Sequence, residues 1–259
     1  MSAEEPILQA CGLTKRFGGL LAVDAVDLVV PGYQVTAIIG PNGAGKTTLF
    51  NMLSGVLRPT HGTILFRGRR TDGLPPHVIA GLGLARTFQN VRLFEGMSLL
   101  DNVMVGRHTR TRSGMLDAAF ALPRARREER AGRAICMEAL EFVGLAKRAD
   151  DDAQSLPFGH QRRAEIARAI VAEPRLVLLD EPAAGLNTRE RAELAAIITA
   201  LAQRGITPLL VDHDMDLVMD ISHRVSVLNR GRKIAEGPPR RIQSDAAVIE
   251  AYLGEEIAC

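Results

Sequence analysis

Apolar residues in this chain gather in short unbroken runs: Val35-Thr36-Ala37-Ile38-Ile39, Leu176-Val177-Leu178-Leu179 and Pro208-Leu209-Leu210-Val211. Runs of that length suit strands buried on both faces of a sheet. The first is followed by the glycine loop Gly40–Gly45 and a helical pattern from Lys46 to Leu57. Upstream, Ile7 to Ile39 reads as short strands broken at Gly18-Gly19 and Pro31-Gly32, with a return strand around Thr63 to Phe66.

Strand signals vanish between about Arg86 and Ser155, where Ala, Arg, Leu and Glu dominate, so this stretch is expected to be a helical insertion. A helix from about Gly159 ends before Pro174, and Glu190 to Gln203 is a second that stops near Gly205. Strands alternating with helices imply a parallel sheet joined by right-handed crossovers. The expected layout is a single domain over 5–254, with a core and β subdomain in 7–85 and 161–254 and a helical subdomain in 86–160.

Composition narrows the function classes. The chain has 259 residues, 46% hydrophobic and 24% charged, ordinary for a globular protein with a sizeable core. A net charge of +2 gives no case for nucleic acid. Acidic residues open the chain where an export signal would be basic, and no apolar run reaches the ~18–20 residues of a membrane span. Any membrane role is therefore expected to come through a partner. Cys11, Cys136 and Cys259 are odd in number and scattered, which fits reduced thiols rather than a disulfide framework or a metal site.

Gly40-Pro41-Asn42-Gly43-Ala44-Gly45-Lys46-Thr47, followed by Thr48, satisfies GxxxxGK[ST] between an apolar strand and a helix. Glycines let successive backbone N–H groups converge on phosphate oxygens, and the helix N-terminus adds positive potential. Lys46 is placed to reach the β- and γ-phosphates, and the Thr47 hydroxyl to bind Mg²⁺. Leu176-Val177-Leu178-Leu179-Asp180-Glu181 then ends a buried strand in two adjacent carboxylates, which alternation points in different directions. Asp180 suits the metal. Glu181 suits the base that polarises the attacking water. Alone, the pair would be an acidic strand end before the Pro182 turn; beside the phosphate loop it reads as catalytic.

Together these motifs resemble the nucleotide-binding subunits of ATP-binding cassette (ABC) transporters, over essentially the whole chain. The resemblance implies a P-loop NTPase core, a RecA-like parallel sheet with flanking helices, carrying an N-terminal antiparallel β subdomain and an inserted helical subdomain. It implies ATP and Mg²⁺ as ligands. Phe17 matches the aromatic that stacks on adenine, although a core phenylalanine is the other reading. Gln89, in Thr87-Phe88-Gln89-Asn90, matches the glutamine that senses Mg²⁺ and the γ-phosphate. His213, an ordinary loop residue if taken alone, matches the histidine that contacts the γ-phosphate.

Leu156-Pro157-Phe158-Gly159-His160-Gln161-Arg162-Arg163 occupies the place of the family's LSGGQ signature but departs from it. Pro157 stands for the serine, Phe158 for the first glycine and His160 for the glutamine; Gly159 remains. A missing hydroxyl removes one donor to a charged group, worth about 1.5–3 kcal/mol. More anion binding must then fall on the Gly159 backbone and the helix N-terminus. The turn Ala184-Gly185-Leu186-Asn187 resembles the family's D-loop, with Asn187 for its usual aspartate.

One phosphate loop and one signature make half of the family's paired ATP site, so the resemblance implies a homodimer or a heterodimer with a second ABC ATPase. It also implies two polytopic permease subunits, an extracytoplasmic substrate-binding protein and a peripheral location on the cytoplasmic face of the inner membrane. Ala85 to Phe94, Asp180 to Asn187 and the tail Ala251-Tyr252-Leu253-Gly254-Glu255 look like the LivG-type ATPases of branched-chain amino acid importers. The tail also resembles a lipopolysaccharide-exporting relative, against which the long insertion after His108 argues. A soluble ABC ATPase acting on nucleic acid or ribosomes would be expected to show paired cassettes or coiled coils, and the sequence has neither. The arginines from Arg107 to Arg133 read either as a solvated helix face or as a surface near anionic lipid.

Overall fold

A computed structural model describes residues 6–87, 93–108, 110 and 123–256. It divides into two compact units, Met1–Arg86 with Arg175–Cys259, and Thr87–Pro174.

The first unit holds two sheets. Strands β1 (Leu8–Phe17), β2 (Leu20–Val30), β4 (His61–Phe66) and β5 (Arg69–Arg70) form an antiparallel sheet in the order β2-β1-β4-β5, as expected of the N-terminal segment. The hairpin of β1 and β2 runs from Leu8 opposite Val30 to Phe17 opposite Leu20, so its turn is the Gly18-Gly19 break. The second sheet has the order β10-β9-β3-β8-β7-β6, built from β3 (Thr36–Ile39), β6 (Leu84–Arg86), β7 (Leu176–Asp180), β8 (Thr207–Val211), β9 (Arg224–Asn229) and β10 (Arg232–Gly237). Strands β6, β7, β8, β3 and β9 are parallel and β10 returns antiparallel on β9.

Every residue of β3, β7 and β8 is buried, which is why these strands are unbroken apolar runs. Pro208 is tolerated inside β8 because pairing with β3 begins only at Leu209. Helix α1 (Lys46–Leu53) supplies Leu49, Phe50, Met52 and Leu53 to one core shared with Leu13 and Leu28 of the antiparallel sheet and Ile38, Leu178 and Leu209 of the other. Each such side chain, fully buried, contributes about 1.5–3 kcal/mol of transfer free energy. The phosphate-loop helix is thus packed into the core that the two sheets share. Helices α2 (Pro76–Gly81), α6 (Thr188–Gln203), α7 (Met215–Ile221), α8 (Pro239–Gln243) and α9 (Ala246–Glu256) complete it.

The second unit packs α3 (Leu99–Val105), α4 (Pro123–Phe142) and α5 (Phe158–Ile170) against one another. Ser98 caps α3 by accepting from the Asp101 N–H at 3.1 Å. Part of the arginine-rich stretch is structural: Arg107 donates to the Val171 carbonyl and Arg110 to those of Ala172 and Glu173, beyond the C-terminus of α5. Cys136 is buried on α4, and burial pushes its thiol up to about 11, so it stays neutral.

Candidate active site

The loop between β3 and α1 is shaped by glycine. Gly40 has φ 148°, and a Cβ there would meet the Leu228 carbonyl oxygen; at Gly45, φ is 100° and a Cβ would lie 2.6 Å from the Ala22 carbonyl oxygen. Neither position admits a side chain. Between them the chain wraps so that the Ala44 N–H reaches back to the Pro41 carbonyl at 3.2 Å, and α1 begins at Lys46 with the donor N–H groups of its first turn facing out. The Lys46 ammonium, 8% exposed, donates to the carbonyls of Gly40 at 2.5 Å and Pro41 at 2.8 Å. The loop therefore carries a cation at its centre and a helix N-terminus at its rim, a geometry suited to phosphate.

A cavity of about 540 Å³ opens over this loop. Its walls bring together Phe17, the segment from Asn42 to Thr48, and Glu181, all assigned from sequence. Phe17 is 44% exposed at the end of β1, with the Lys15 ammonium 5.1 Å from its ring centroid, so it is not a core residue. Leu20, Leu21, Ala22, Arg230 and Gly231 complete the wall and were not singled out from sequence. The signal for the last two was the Asn229-Arg230-Gly231 turn that joins β9 to β10. Its Gly231 N–H donates to the Ala44 carbonyl at 3.0 Å, bracing the phosphate loop from a segment almost two hundred residues away.

Asp180 closes β7, 3% exposed, opposite Val211 of β8. The backbone then turns left-handed at Glu181, φ 47°, whose N–H donates to the Val211 carbonyl at 2.7 Å. This strained turn, rather than simple strand alternation, aims Glu181 into the cavity while Asp180 stays buried. Arg86, which the sequence offered only within the Ala85–Phe94 run and with no role of its own, donates from Nη2 to Asp180 Oδ2 at 2.7 Å.

After β8, Asp212 is 1% exposed and accepts from the Ala183 N–H at 3.0 Å and the Asp214 N–H at 2.9 Å. It ties the turn after β7 to the turn after β8. Burial pushes its carboxyl above the usual range, against the opposing pull of those two N–H groups. His213, next along, is exposed, with Nδ1 3.8 Å from Asp212 Oδ1. Asn187 caps α6 in a capping box with Glu190, each side chain accepting from the other's N–H. Asparagine at the place of the usual aspartate thus keeps the helix start intact.

In the second unit, Pro157 is the N-cap of α5 and offers no side-chain acceptor; its carbonyl accepts from the N–H groups of His160 and Gln161. Gly159 is buried in the first turn, His160 half-buried, and Phe158 is 44% exposed with the Arg162 guanidinium 5.2 Å from its ring centroid. Gln161 donates to the carbonyls of Gln154 and Leu156, fixing the approach to the helix. Gln89 lies outside the described residues.

For a metal, no group of three or more His, Cys, Asp or Glu side chains gathers among the described residues. The hard oxygen donors here include the Thr47 hydroxyl and the Glu181 carboxylate on the cavity wall, and the buried Asp180 carboxylate at the end of β7. That sparse set fits Mg²⁺, which keeps several waters and takes its remaining ligands from substrate phosphates.

Known proteins resemble this chain in sequence and in fold. The family model described as ABC transporter matches residues 23–184, and one described as branched-chain amino acid ATP-binding cassette transporter matches residues 232–258. The chain is 48% identical over 251 residues to the high-affinity branched-chain amino acid transport ATP-binding protein BraF of Pseudomonas aeruginosa, covering 96% of this chain and 98% of that one. It is 45% identical over 252 residues to the corresponding LivG protein of Escherichia coli, covering 97% and 99%. The crystal structure of a nucleotide-free ATP-binding cassette from an ABC transporter superposes with a TM-score of 0.84 at 31% identity, covering 95% of this chain and 98% of that one.

Proposed function

Because this chain belongs to the ABC transporter family, as one of its ATP-binding subunits, we propose that it hydrolyses Mg²⁺-bound ATP to power import of branched-chain or similar apolar amino acids. The observation that carries the ATPase reading is the single cavity in which the Lys46 loop and Glu181 face each other, with Phe17 at its edge.

Adenine stacks on Phe17, the Gly40–Thr48 loop wraps the phosphates, and Lys46 exchanges its loop carbonyls for β- and γ-phosphate oxygens. Thr47 and Asp180 would hold Mg²⁺, which neutralises charge on those oxygens, with Gln89 sensing it. Glu181 accepts a proton from the attacking water as the new O–P bond forms and the bond from the γ-phosphorus to the bridging oxygen breaks, releasing ADP. His213 steadies the γ-phosphate on the side fixed by Asp212. The signature half of the site, Pro157, Gly159 and His160, serves the nucleotide of a partner cassette in a homodimer or heterodimer, offering N–H groups of the α5 N-terminus.

No described helix is long and apolar enough to cross a membrane, and the transport reading assigns that crossing to other chains. Two polytopic permease subunits and an extracytoplasmic binding protein, with this chain docked on the cytoplasmic face, fulfil that need. The identity to BraF and LivG and the match over 232–258 favour amino acids over lipopolysaccharide as cargo.

Glu181→Gln in the complex with its permeases tests the reading. ATP binding should persist and hydrolysis should fall by about 10²-fold or more, since general base catalysis contributes on the order of 10²–10⁴-fold. The isolated mutant chain should also accumulate an ATP-bound dimer on size exclusion. Turnover near the wild-type rate would remove Glu181 from the chemistry.

A further inference from the structure

Arg86 is the last residue of β6 and pairs with Leu178 of β7, two residues before Asp180. Residues two apart on a strand share a face, so Asp180 and the residue beside Arg86 point the same way. The Arg86 guanidinium bridges two elements there. Nη2 donates to Asp180 Oδ2 at 2.7 Å, while Nη1 donates to Asn51 Oδ1 at 2.7 Å and Ser54 Oγ at 2.9 Å on α1 and its C-cap. Its carbon lies 5.9 Å from the centroid of the Phe50 ring, also on α1. Both partners are buried, with side chains 10% and 5% exposed.

A buried ion pair is a poor means of stabilising a fold, because desolvation offsets most of the attraction. What the pair does supply is direction. Helix α1 begins with Lys46 and Thr47, so one rigid fork fixes the Asp180 carboxylate relative to the helix that presents Thr47. Lysine, a single point charge, cannot bridge α1 and β7 in this way.

We propose that Arg86 is a positioning residue for the Mg²⁺ site, holding the Asp180 carboxylate in a fixed place relative to α1 before metal and nucleotide arrive. The proposal rests on the assignment of Asp180 to Mg²⁺ made above. It places a determinant of metal affinity outside both the phosphate loop and the end of β7, on the edge strand β6.

The test is titration of a fluorescent ADP analogue into the full chain at rising Mg²⁺. The Mg²⁺ concentration that half-saturates the tightening of ADP binding is read for wild type, Arg86→Gln, Arg86→Lys, Asn51→Ala and Asp180→Asn, with melting followed in parallel. Arg86→Gln should raise that midpoint by about tenfold or more, the range seen when a partner of a metal ligand is lost. Metal-free ADP affinity should stay within about twofold, because the phosphate loop is untouched. Arg86→Lys and Asn51→Ala should fall between it and wild type. A purely structural role would lower melting temperature and leave the midpoint in place, and that result overturns the proposal. Should Arg86→Gln fail to fold, Asn51→Ala decides: an unmoved midpoint overturns it equally. Asp180→Asn with a wild-type midpoint would sink the Asp180 assignment and this inference with it. A shifted Asp180→Asn beside an unshifted Arg86→Gln would sink the inference alone.

Discussion

Replacing Lys46 separates nucleotide recognition from folding. Its ammonium makes two charge-assisted hydrogen bonds to the Gly40 and Pro41 carbonyls while 8% exposed. On the proposed reading, ATP binding exchanges those acceptors for anionic phosphate oxygens. Lys46→Ala removes that gain, worth about 1.5–3 kcal/mol for a contact to a charged group, or about 10- to 150-fold in Kd. The effect on folding is smaller because two contributions oppose: the loop loses two hydrogen bonds, and the protein no longer desolvates an ammonium. A residual of about 1 kcal/mol would move the melting temperature by only about 2–4 °C at this size. Lys46→Met keeps the apolar stem and deletes the charge alone, so it should match Lys46→Ala in affinity. Calorimetric titration with a slowly hydrolysed ATP analogue in the presence of Mg²⁺ measures the loss. Affinity within twofold of wild type in a normally melting Lys46→Met would refute the exchange of carbonyls for phosphate.

Two further substitutions probe the signature helix and one probes pH. Gly159→Asp should nearly abolish ATP-driven dimerisation and hydrolysis in the assembled complex, since a carboxylate would face the partner's γ-phosphate; Gly159 is buried, so the carboxylate also costs desolvation that the α5 dipole only partly offsets, and melting is followed alongside. An active, folded Gly159→Asp complex would mean that this segment does not bind phosphate. Pro157→Ser gives α5 the N-cap acceptor it lacks, worth about 0.5–2 kcal/mol, so it should raise the melting temperature and change ATPase only a few-fold; a lowered melting temperature would contradict the cap geometry. Glu236 is half-buried between Arg224 and Lys233; desolvation raises its carboxyl, but their hydrogen bonds outweigh it and hold the carboxyl below the usual range. A depressed carboxylate stabilises the fold above its unfolded value, and that share is lost as pH falls through the folded value. Glu236→Gln should therefore lower the melting temperature at neutral pH, with the gap to wild type closing in acid; a constant gap would show that charge is not the cause.

Much of this protein was decided by local sequence. Unbroken apolar runs have few uses other than strands buried on both faces, so β3, β7 and β8 were legible at once, as was the glycine loop that joins β3 to the helix beginning at Lys46. The place of Asp180 and Glu181 at the end of β7 was legible in the same way. What no local pattern carries is the partner of a side chain across the fold. Arg86 looked like one more arginine at the start of a helical stretch, and only the β6–β7 pairing sets it beside Asp180, 94 residues away. Nothing in the sequence singles out Asp212, yet its burial between two turns makes it the tie between them. The β9–β10 hairpin was missed because β10 is only partly buried and so lacks a clear apolar rhythm, while its turn supports the phosphate loop through the Gly231–Ala44 contact. Backbone hydrogen bonds and apolar rhythm are written residue by residue, whereas the placement of a buried charge depends on which strands become neighbours, and that is settled only when the sheet is assembled.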